Sequence, residues 1–419
     1  MAKIAVLDPR SMAWARRQFE GYYASARVDP PPRFARREFA AFPFAEATLM
    51  RRHASFSTAD EFHRFLSREV PRHVYYSSAY YGQPDQPTMA GKDWLGADVI
   101  FDLDADHLRG AEHLDYAEQL ARVKDRVREL WDDFLVGDFG IDPASLTLVF
   151  SGGRGYHVHV HDPEYWPLTS PERRELVDYL QGTGFDEREA ILEERSYDRS
   201  AGADAEVDPN APRRSSRPRT FRRLYPPTTA GWRGRVTRSF LGLLERWETL
   251  GAEATEAEMV KLAIPKLQAR RLARQLITEG KAHQIRTNLS LDVFPKEIPA
   301  GLLETVLKQA RIDVQGETDA PVTTDIHRLI RLPGSLHGGT GFRVVPLDRA
   351  QLDSFDPWTE ATAPAGRHGG TEVELVESFA YPFPGARTEG TRGQRVALPT
   401  PAALFLVLRG EAQLPPSPG

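Results

Sequence analysis

Residues 97–106 read ADVIFDLDAD, an apolar run that closes on alternating aspartates. Side chains in a strand point to opposite faces in turn, so Val99, Phe101 and Leu103 share one face while Ile100, Asp102 and Asp104 share the other. Two carboxylates two residues apart at a strand end stand roughly 6 to 7 Å from each other. That spacing suits a pair of divalent ions that prefer oxygen ligands. A pair of solvated strand-end acids, or a cap leading into His107, is the plainer alternative. Beyond the aspartates, 115–134 carries Leu120, Val123, Val127, Leu130, Trp131 and Phe134 at helical spacing. Leu146 to Phe150 then reads as a buried strand, Ser151 to Gly155 as a tight loop and Tyr156 to Val160 as a further strand. Strand, helix and strand in that order predict an α/β layer.

The loop SGGRGYH (151–157) is a second candidate for chemistry. Glycines at 152, 153 and 155 let backbone approach an anion closely, and Arg154 can neutralise it. His157 and His159 then project from one strand face. An ordinary hairpin turn with an exposed arginine is the competing reading. The third candidate is DAPVTTDIHRLIRLPGSLHGGTGF, from Asp319 to Phe342. Here Thr324 or Asp325 can cap a short helix containing Ile326, Leu329 and Ile330, with Arg328 and Arg331 on its polar side. Pro333-Gly334 ends that helix, and Ser335, His337 and the following glycines form a polar loop able to meet a triphosphate. A helix with a solvated basic face is the alternative.

Elsewhere the pattern is mostly structural. A helix is expected over 11–28, strands or loop edges over 38–44 and 49–56, a helix over 58–69, and a strand over 73–81 that runs into a Gly/Pro turn. From about Asp162 the composition shifts. A short helix over 171–182 precedes a stretch rich in Pro, Ser, Asp and Arg, expected as a mobile loop at about 196–225. Within it the arginines of 213–223 read either as an electrostatic contact for template or as a solvated spacer. Helical patterns dominate 237–311, strands and a short helix return over 319–347, and a last helix is expected over 401–409. No internal repeat is evident.

Composition narrows the chemistry. The chain has no cysteine, which removes disulfides, thiolate zinc sites, iron–sulfur ligation and cysteine nucleophiles, so any metal must sit on carboxylates or histidines. With 54 basic and 59 acidic residues the net charge of −5 does not advertise a nucleic-acid binder, and local patches must decide. No window approaches a spanning helix and the N-terminus lacks a leader pattern, so no membrane association and a cytoplasmic location are expected.

FDLDADH, SGGRGYH and TTDIHRLIRLPGSLHGGTG together resemble the three signature motifs of the archaeal and eukaryotic-type DNA primase small subunit, nearest the archaeal branch, and they occur in the same order. PPPRFARREF, PRHVYYSSAYY, WLGADVIFDLDADH and VALPTPAALFLVLRG extend the resemblance over most of the chain except about 183–300. The resemblance implies an α/β catalytic core with a mixed sheet flanked by helices, in two parts, 1–169 and 311–410. A helical insert at 170–310 would interrupt it, and a tail at 411–419 would follow. It implies template-directed synthesis of short primers on single-stranded DNA by nucleotidyl transfer from nucleoside triphosphates, with two Mg2+ or Mn2+ ions. Asp102, Asp104 and Asp319 resemble the catalytic, metal-binding carboxylates. Ser151, Arg154 and His157 resemble the phosphate-contacting loop, Arg331 and His337 the residues that hold the incoming triphosphate, and Arg52 and Glu38 the initiation-site residues. The implied partner is a large subunit that carries an iron–sulfur cluster. The sequence departs from the family in lacking the cysteines of a zinc knuckle. His107, Glu112, His113 and Asp115 could hold another metal, but a solvated helix start is the preferred reading, with the knuckle lost or replaced by packing. A repair primase–polymerase of the end-joining type and a non-catalytic nucleotide- or RNA-binding subunit are the rival functions.

Overall fold

The computed structural model describes residues 5–44, 49–108, 110, 113–196, 219–293, 300–313, 316–363, 370–385 and 389–416. The chain forms two units. The first comprises Met1–Val136, Gly140–Val177 and Glu317–Gly419, and the second Gly137–Phe139 and Asp178–Gly316. The fold is α/β, and every strand pairing among the described residues is antiparallel, with no parallel pairs in the expected mixed sheet. Loop length explains this: Leu146–Phe150 and Gly155–Val160 are joined by a hairpin loop, and only antiparallel strands accept so short a link.

Two four-stranded sheets dominate the first unit. One runs in the order Val345–Leu347, Leu146–Phe150, Gly155–Val160, Val99–Asp104. Its register sets Asp102 opposite His157, Ile100 opposite His159 and Asp104 opposite Gly155. The face of Val99, Phe101, Leu103, Tyr156, Val158 and Val160 is buried, and the helix Tyr116–Arg128 packs on this sheet through contacts to both edge-side strands. That helix starts at a reciprocal cap, with Asp115 accepting from the Glu118 amide and Glu118 accepting from the Asp115 amide. It buries Leu120, Val123 and Val127, then widens into a π-type segment, Glu129–Asp138, which keeps Leu130, Trp131 and Phe134 inside. Asp115 is thus a helix cap, while Glu112 lies outside the described residues.

The other sheet runs Leu329–Arg331, His73–Ser77, Phe39–Phe42, Arg51–Ala54. The strand expected over 73–81 is broken at Ser78, and Ala79–Tyr81 pairs instead with Trp94–Ala97. Backbone partners cause the break. Arg37, wholly buried, donates to the carbonyls of both Ser77 (2.7 Å) and Ser78 (3.1 Å), while the Ser78 carbonyl also accepts from the Asp98 amide at 3.0 Å. The third motif also differs from expectation. Its helix is Ala320–Thr324, ahead of Asp325, and Leu329–Arg331 is a strand paired with His73–Ser77. Pairing with an existing sheet outweighed the helical spacing of Ile326, Leu329 and Ile330. A smaller sheet of Arg395–Pro399, Gly370–Leu375 and Ala412–Gln413 closes the unit with the helix Thr400–Arg409, whose residues from Ala402 to Leu408 are all buried.

The second unit is mainly helical: Gly231–Leu250, Ala252–Lys261, Lys266–Ala273, Lys281–Asn288 and Ala300–Asp313. A buried Arg235–Asp138 pair at 2.9 Å ties the first of these helices down, with Tyr179 donating to the same carboxylate at 3.0 Å. Of the loop expected over 196–225, residues 197–218 lie outside the described residues, including 213–218 of the arginine-rich stretch. Arg219–Leu224 is a strand, correcting that expectation. It pairs with Ile191–Ser196, buries Leu224 and exchanges backbone bonds with Leu289 and Leu291, which a solvated loop does not do. No helix among the described residues is long and apolar enough to cross a membrane.

Candidate active site

Strand alternation, confirmed by the register, brings Asp102, Asp104 and His157 to the face opposite the helix-packed one. Val99–Asp104 is an edge strand, so its outer carbonyls need donors. The Asp102 carbonyl takes the Asp319 amide at 2.9 Å, which places Asp319 beside the pair despite more than two hundred intervening residues. Asp319 is the first residue before the helix Ala320–Thr324, yet its carboxylate makes no capping bond. A cap-position aspartate normally accepts from its own helix; this one is left for another use. Asp325, which the sequence suggested as a helix start, follows that helix instead and accepts from the His327 amide at 2.9 Å.

Asp102 carries the electrostatic signature of the cluster. Burial, then the neighbouring Asp104 and Asp319 carboxylates, push it up to about 7, against the pull of Arg331 and Arg328. Its other neighbour gives no charge: His157 lies with Nε2 3.6 Å from an Asp102 oxygen and is pushed down to about 3 by burial, with Arg331 and Arg328 adding to the effect. One Asp104 oxygen accepts from the Asp106 amide at 3.0 Å, so the acid also caps the turn Ala105–His107. Among the described residues no three Asp, Glu or His side chains are gathered into a closed metal-ligand set. What exists is a carboxylate cluster whose burial and mutual repulsion outweigh the pull of Arg331 and Arg328, a donor set of the hard-oxygen type that Mg2+ and Mn2+ accept.

The glycine loop faces this cluster. Ser151 donates its amide to the Gly155 carbonyl (3.0 Å), Tyr116 donates to the Gly153 carbonyl (2.6 Å) and Thr340 to the Gly152 carbonyl (2.5 Å). Gly152 has a φ of +76°, and a Cβ there would lie 2.7 Å from the His337 Cβ, so the third motif packs directly on the bare backbone. Ser151 accepts from the Gly153 amide at 3.3 Å, and Arg154 pairs with Asp106.

His337 is buried, and burial with the nearby Arg331 holds its pKa well below the usual histidine range. Its Nδ1 lies 3.1 Å from the Thr340 hydroxyl and 3.3 Å from the Gly339 amide, which fixes the ring in the loop. Arg331 lies within 3.4 Å of both the Tyr75 hydroxyl and the His73 Nδ1, and His73 packs edge-on against His337 at 5.3 Å between ring centroids. Sequence reading missed His73, Tyr75 and Thr340. Period-two reading of HVYYS would have found the first two, since His73, Tyr75 and Ser77 share a face; Thr340 left no local signal.

Arg52 and Glu38 form a two-point ion pair, Nε–Oε1 2.9 Å and Nη2–Oε2 3.1 Å. Glu38 is fully buried and also receives the His53 amide, with the buried Lys92 ammonium 3.5 Å away. Against the upward push of burial, these partners hold its carboxyl below the ordinary value. Arg52, about one-third exposed, is the member of the pair that can reach a ligand. The eight other expected residues fall into two groups on the first unit's two main sheets. Asp102, Asp104, Asp319, Ser151, Arg154 and His157 surround the strand Val99–Asp104, while Arg331 and His337 come from the partner sheet and its following loop.

Comparison with known proteins identifies the family. The family described as "DNA primase small subunit" matches residues 101–349. The chain is 37% identical to the DNA primase small subunit PriS of Methanocella arvoryzae, with 98% of this chain and 100% of that protein covered. It is also 37% identical to the proteins of the same name from Methanothrix thermoacetophila (97% and 100% covered) and Haloarcula marismortui (97% and 99% covered).

Proposed function

The chain belongs to the DNA primase small-subunit family, and from that premise we propose how its residues divide the work of primer synthesis. It is the catalytic, DNA-directed nucleotidyltransferase subunit, and the small-subunit name implies a large-subunit partner. In the proposed reaction a 3′-hydroxyl attacks the α-phosphorus of a nucleoside triphosphate positioned by single-stranded DNA template. The new O–P bond forms as the bond to pyrophosphate breaks, and the hydroxyl proton passes to solvent.

The observation that carries the reading is the convergence of Asp102, Asp104 and Asp319, with Asp102 pushed up to about 7 by burial and by the other two carboxylates. These three would hold Mg2+ or Mn2+, which when bound supplies charge neutralisation and polarises the attacking hydroxyl. The remaining residues bind and orient. Arg331 offers its fork to phosphate oxygens, neutral His337 offers a ring nitrogen for hydrogen bonding, and the Ser151–Gly155 loop brings backbone close to the phosphates. Arg52, fixed by Glu38, is suited to an initiating nucleotide. We assign the iron–sulfur cluster expected of such complexes to the large subunit, because this chain has no cysteine to ligate one.

The test is primer synthesis on an unprimed single-stranded template, with and without a large subunit, comparing the natural chain with Asp102→Asn and Asp104→Asn. Loss of product in both variants, with the fold intact by circular dichroism, is expected. Full activity in either removes that residue from the assignment.

A further inference from the structure

The strand Val99–Asp104 ends one residue before its third aspartate in alternation, and Asp106 therefore leaves the metal-facing row. The turn Ala105–His107, capped by Asp104, swings the Asp106 carboxylate against Arg154, with Nη2 to Oδ1 at 2.5 Å. The two sides are tied nearby as well, by the pairing of Asp104 with Gly155 and by a 3.4 Å bond from the Ala105 amide to the Arg154 carbonyl. Both partners remain accessible: the Asp106 side chain is 49% exposed and that of Arg154 28%.

An exposed pair of this kind adds little to stability. The glycine loop is already held by Tyr116, Thr340 and its own Ser151–Gly155 bond, none of which involves the Arg154 side chain. Chemically the contact matters more. Arg154 is the cation of the loop that faces the carboxylate cluster, and Asp106 offers it the same bond that a phosphate oxygen would.

We propose that Asp106 sets nucleotide affinity by occupying Arg154 until a triphosphate displaces it, so that the site admits the nucleotide with its divalent cation and disfavours the bare anion. The proposal rests on the reading of Arg154 as a phosphate ligand. Without a cation, a triphosphate must displace Asp106 and approach Asp102, Asp104, Asp106 and Asp319 together. With its cation, the approaching charge is reduced and the released Asp106 no longer opposes entry. Because the bond to Asp104 comes from the Asp106 backbone amide, changing the side chain leaves that cap in place.

The experiment measures ATP binding to the full-length chain by calorimetry, without template, in EDTA and in Mg2+. Relative to the natural chain, Asp106→Asn should bind ATP roughly three- to tenfold tighter in EDTA, the scale of one removed charge several ångströms away in a partly solvated site. The gain in Mg2+ should be smaller. Asp106→Ala should behave the same way, which separates charge from side-chain shape, and tighter binding is not a product of damaged folding. Arg154→Ala should weaken binding, and adding Asp106→Asn to it should give a smaller gain than Asp106→Asn gives alone, since only the charge repulsion is then relieved. Unchanged or weaker binding in both Asp106 variants overturns the proposal, as does an equal gain on the Arg154→Ala background. No effect of Arg154→Ala alone overturns instead the assignment of Arg154 to phosphate.

Discussion

Asp102→Asn should make the metal-free protein more stable at neutral pH while abolishing catalysis. Asn keeps the shape of the side chain and removes the charge that burial, Asp104 and Asp319 oppose. Holding a carboxyl at about 7 in the folded state, against an ordinary value near 3.8, costs on the order of 4 kcal/mol once the group is fully ionised. Coupling among three carboxylates spreads that cost, so a gain of roughly 2 to 4 kcal/mol is the reasonable expectation for one of them. The sign follows from linkage. Between the unfolded and folded values the native state holds a proton that the unfolded chain has lost, so the natural chain loses stability as pH rises from about 4 to about 7, and the full penalty persists above that. Urea unfolding in EDTA, followed by tryptophan fluorescence between pH 4 and 8, measures it. The two proteins should coincide near pH 4 and diverge steadily, with the variant more stable at pH 8. Added Mg2+ or Mn2+ should then raise the natural chain selectively. Parallel pH profiles, or a variant that is weaker at pH 8, would refute the claim that the three carboxylates stand uncompensated.

Other outcomes follow from the same geometry. Asp319→Asn should abolish nucleotide addition with folding retained, whereas Asp325→Asn, which can still accept from the His327 amide, should keep most activity; the reverse result in a primer-extension assay would move the third carboxylate to Asp325. Arg331→Ala should raise the nucleotide KM at least tenfold while divalent-ion binding, followed by Mn2+ titration, stays intact. Gly152→Ala should cut activity through the glycine loop, because the new methyl meets the His337 Cβ at 2.7 Å and a φ of +76° strains any side chain; wild-type KM and kcat in this variant would show that the packing is dispensable. Arg37→Met should cost about 3 to 5 kcal/mol of stability in urea unfolding, since it strands the fully buried Asp98 carboxylate.

Much of this site was legible in the sequence because its signals are local. Alternation alone placed Asp102 and Asp104 on one face, and the spacing of glycines marked the loop at 151–155. What was not legible depended on partners distant in the chain. The spacing of Ile326, Leu329 and Ile330 fits a helix, but a strand was waiting at His73–Ser77, and pairing with it decided the outcome. Likewise Ser78 shows no breaker in its own sequence. The break comes from Arg37 and Asp98, which claim its carbonyl from 41 residues upstream and 20 residues downstream. Glu38 was read from its motif as a nucleotide-site residue, and only the fold reveals that its oxygens are already taken by Arg52, His53 and Lys92.

The same Arg37–Asp98 contact explains how two sheets can share one reaction. Asp98 directly precedes the strand that carries Asp102 and Asp104, while Arg37 lies two residues before the strand that starts at Phe39 and runs beside His73–Ser77, the neighbour of Arg331. Their side chains meet at 2.6 Å with no exposure to solvent. Tyr80 donates to the second Asp98 oxygen at 2.6 Å, and Arg173 donates to the Asp98 and Ala97 carbonyls. Against the upward push of burial, His161, Arg37 and Tyr80 hold the Asp98 carboxyl well below the usual carboxylate range, so the pair stays ionised near neutral pH. A buried pair this fully hydrogen-bonded gains little over an apolar substitute in stability, but it fixes one geometry where apolar packing would tolerate several. On the proposed assignment the carboxylates on one sheet and Arg331 on the other meet the same nucleotide, and an error of about 1 Å between them is costly to a reaction that depends on alignment. The charged pin therefore sits where the two halves of the site join, away from the reacting atoms.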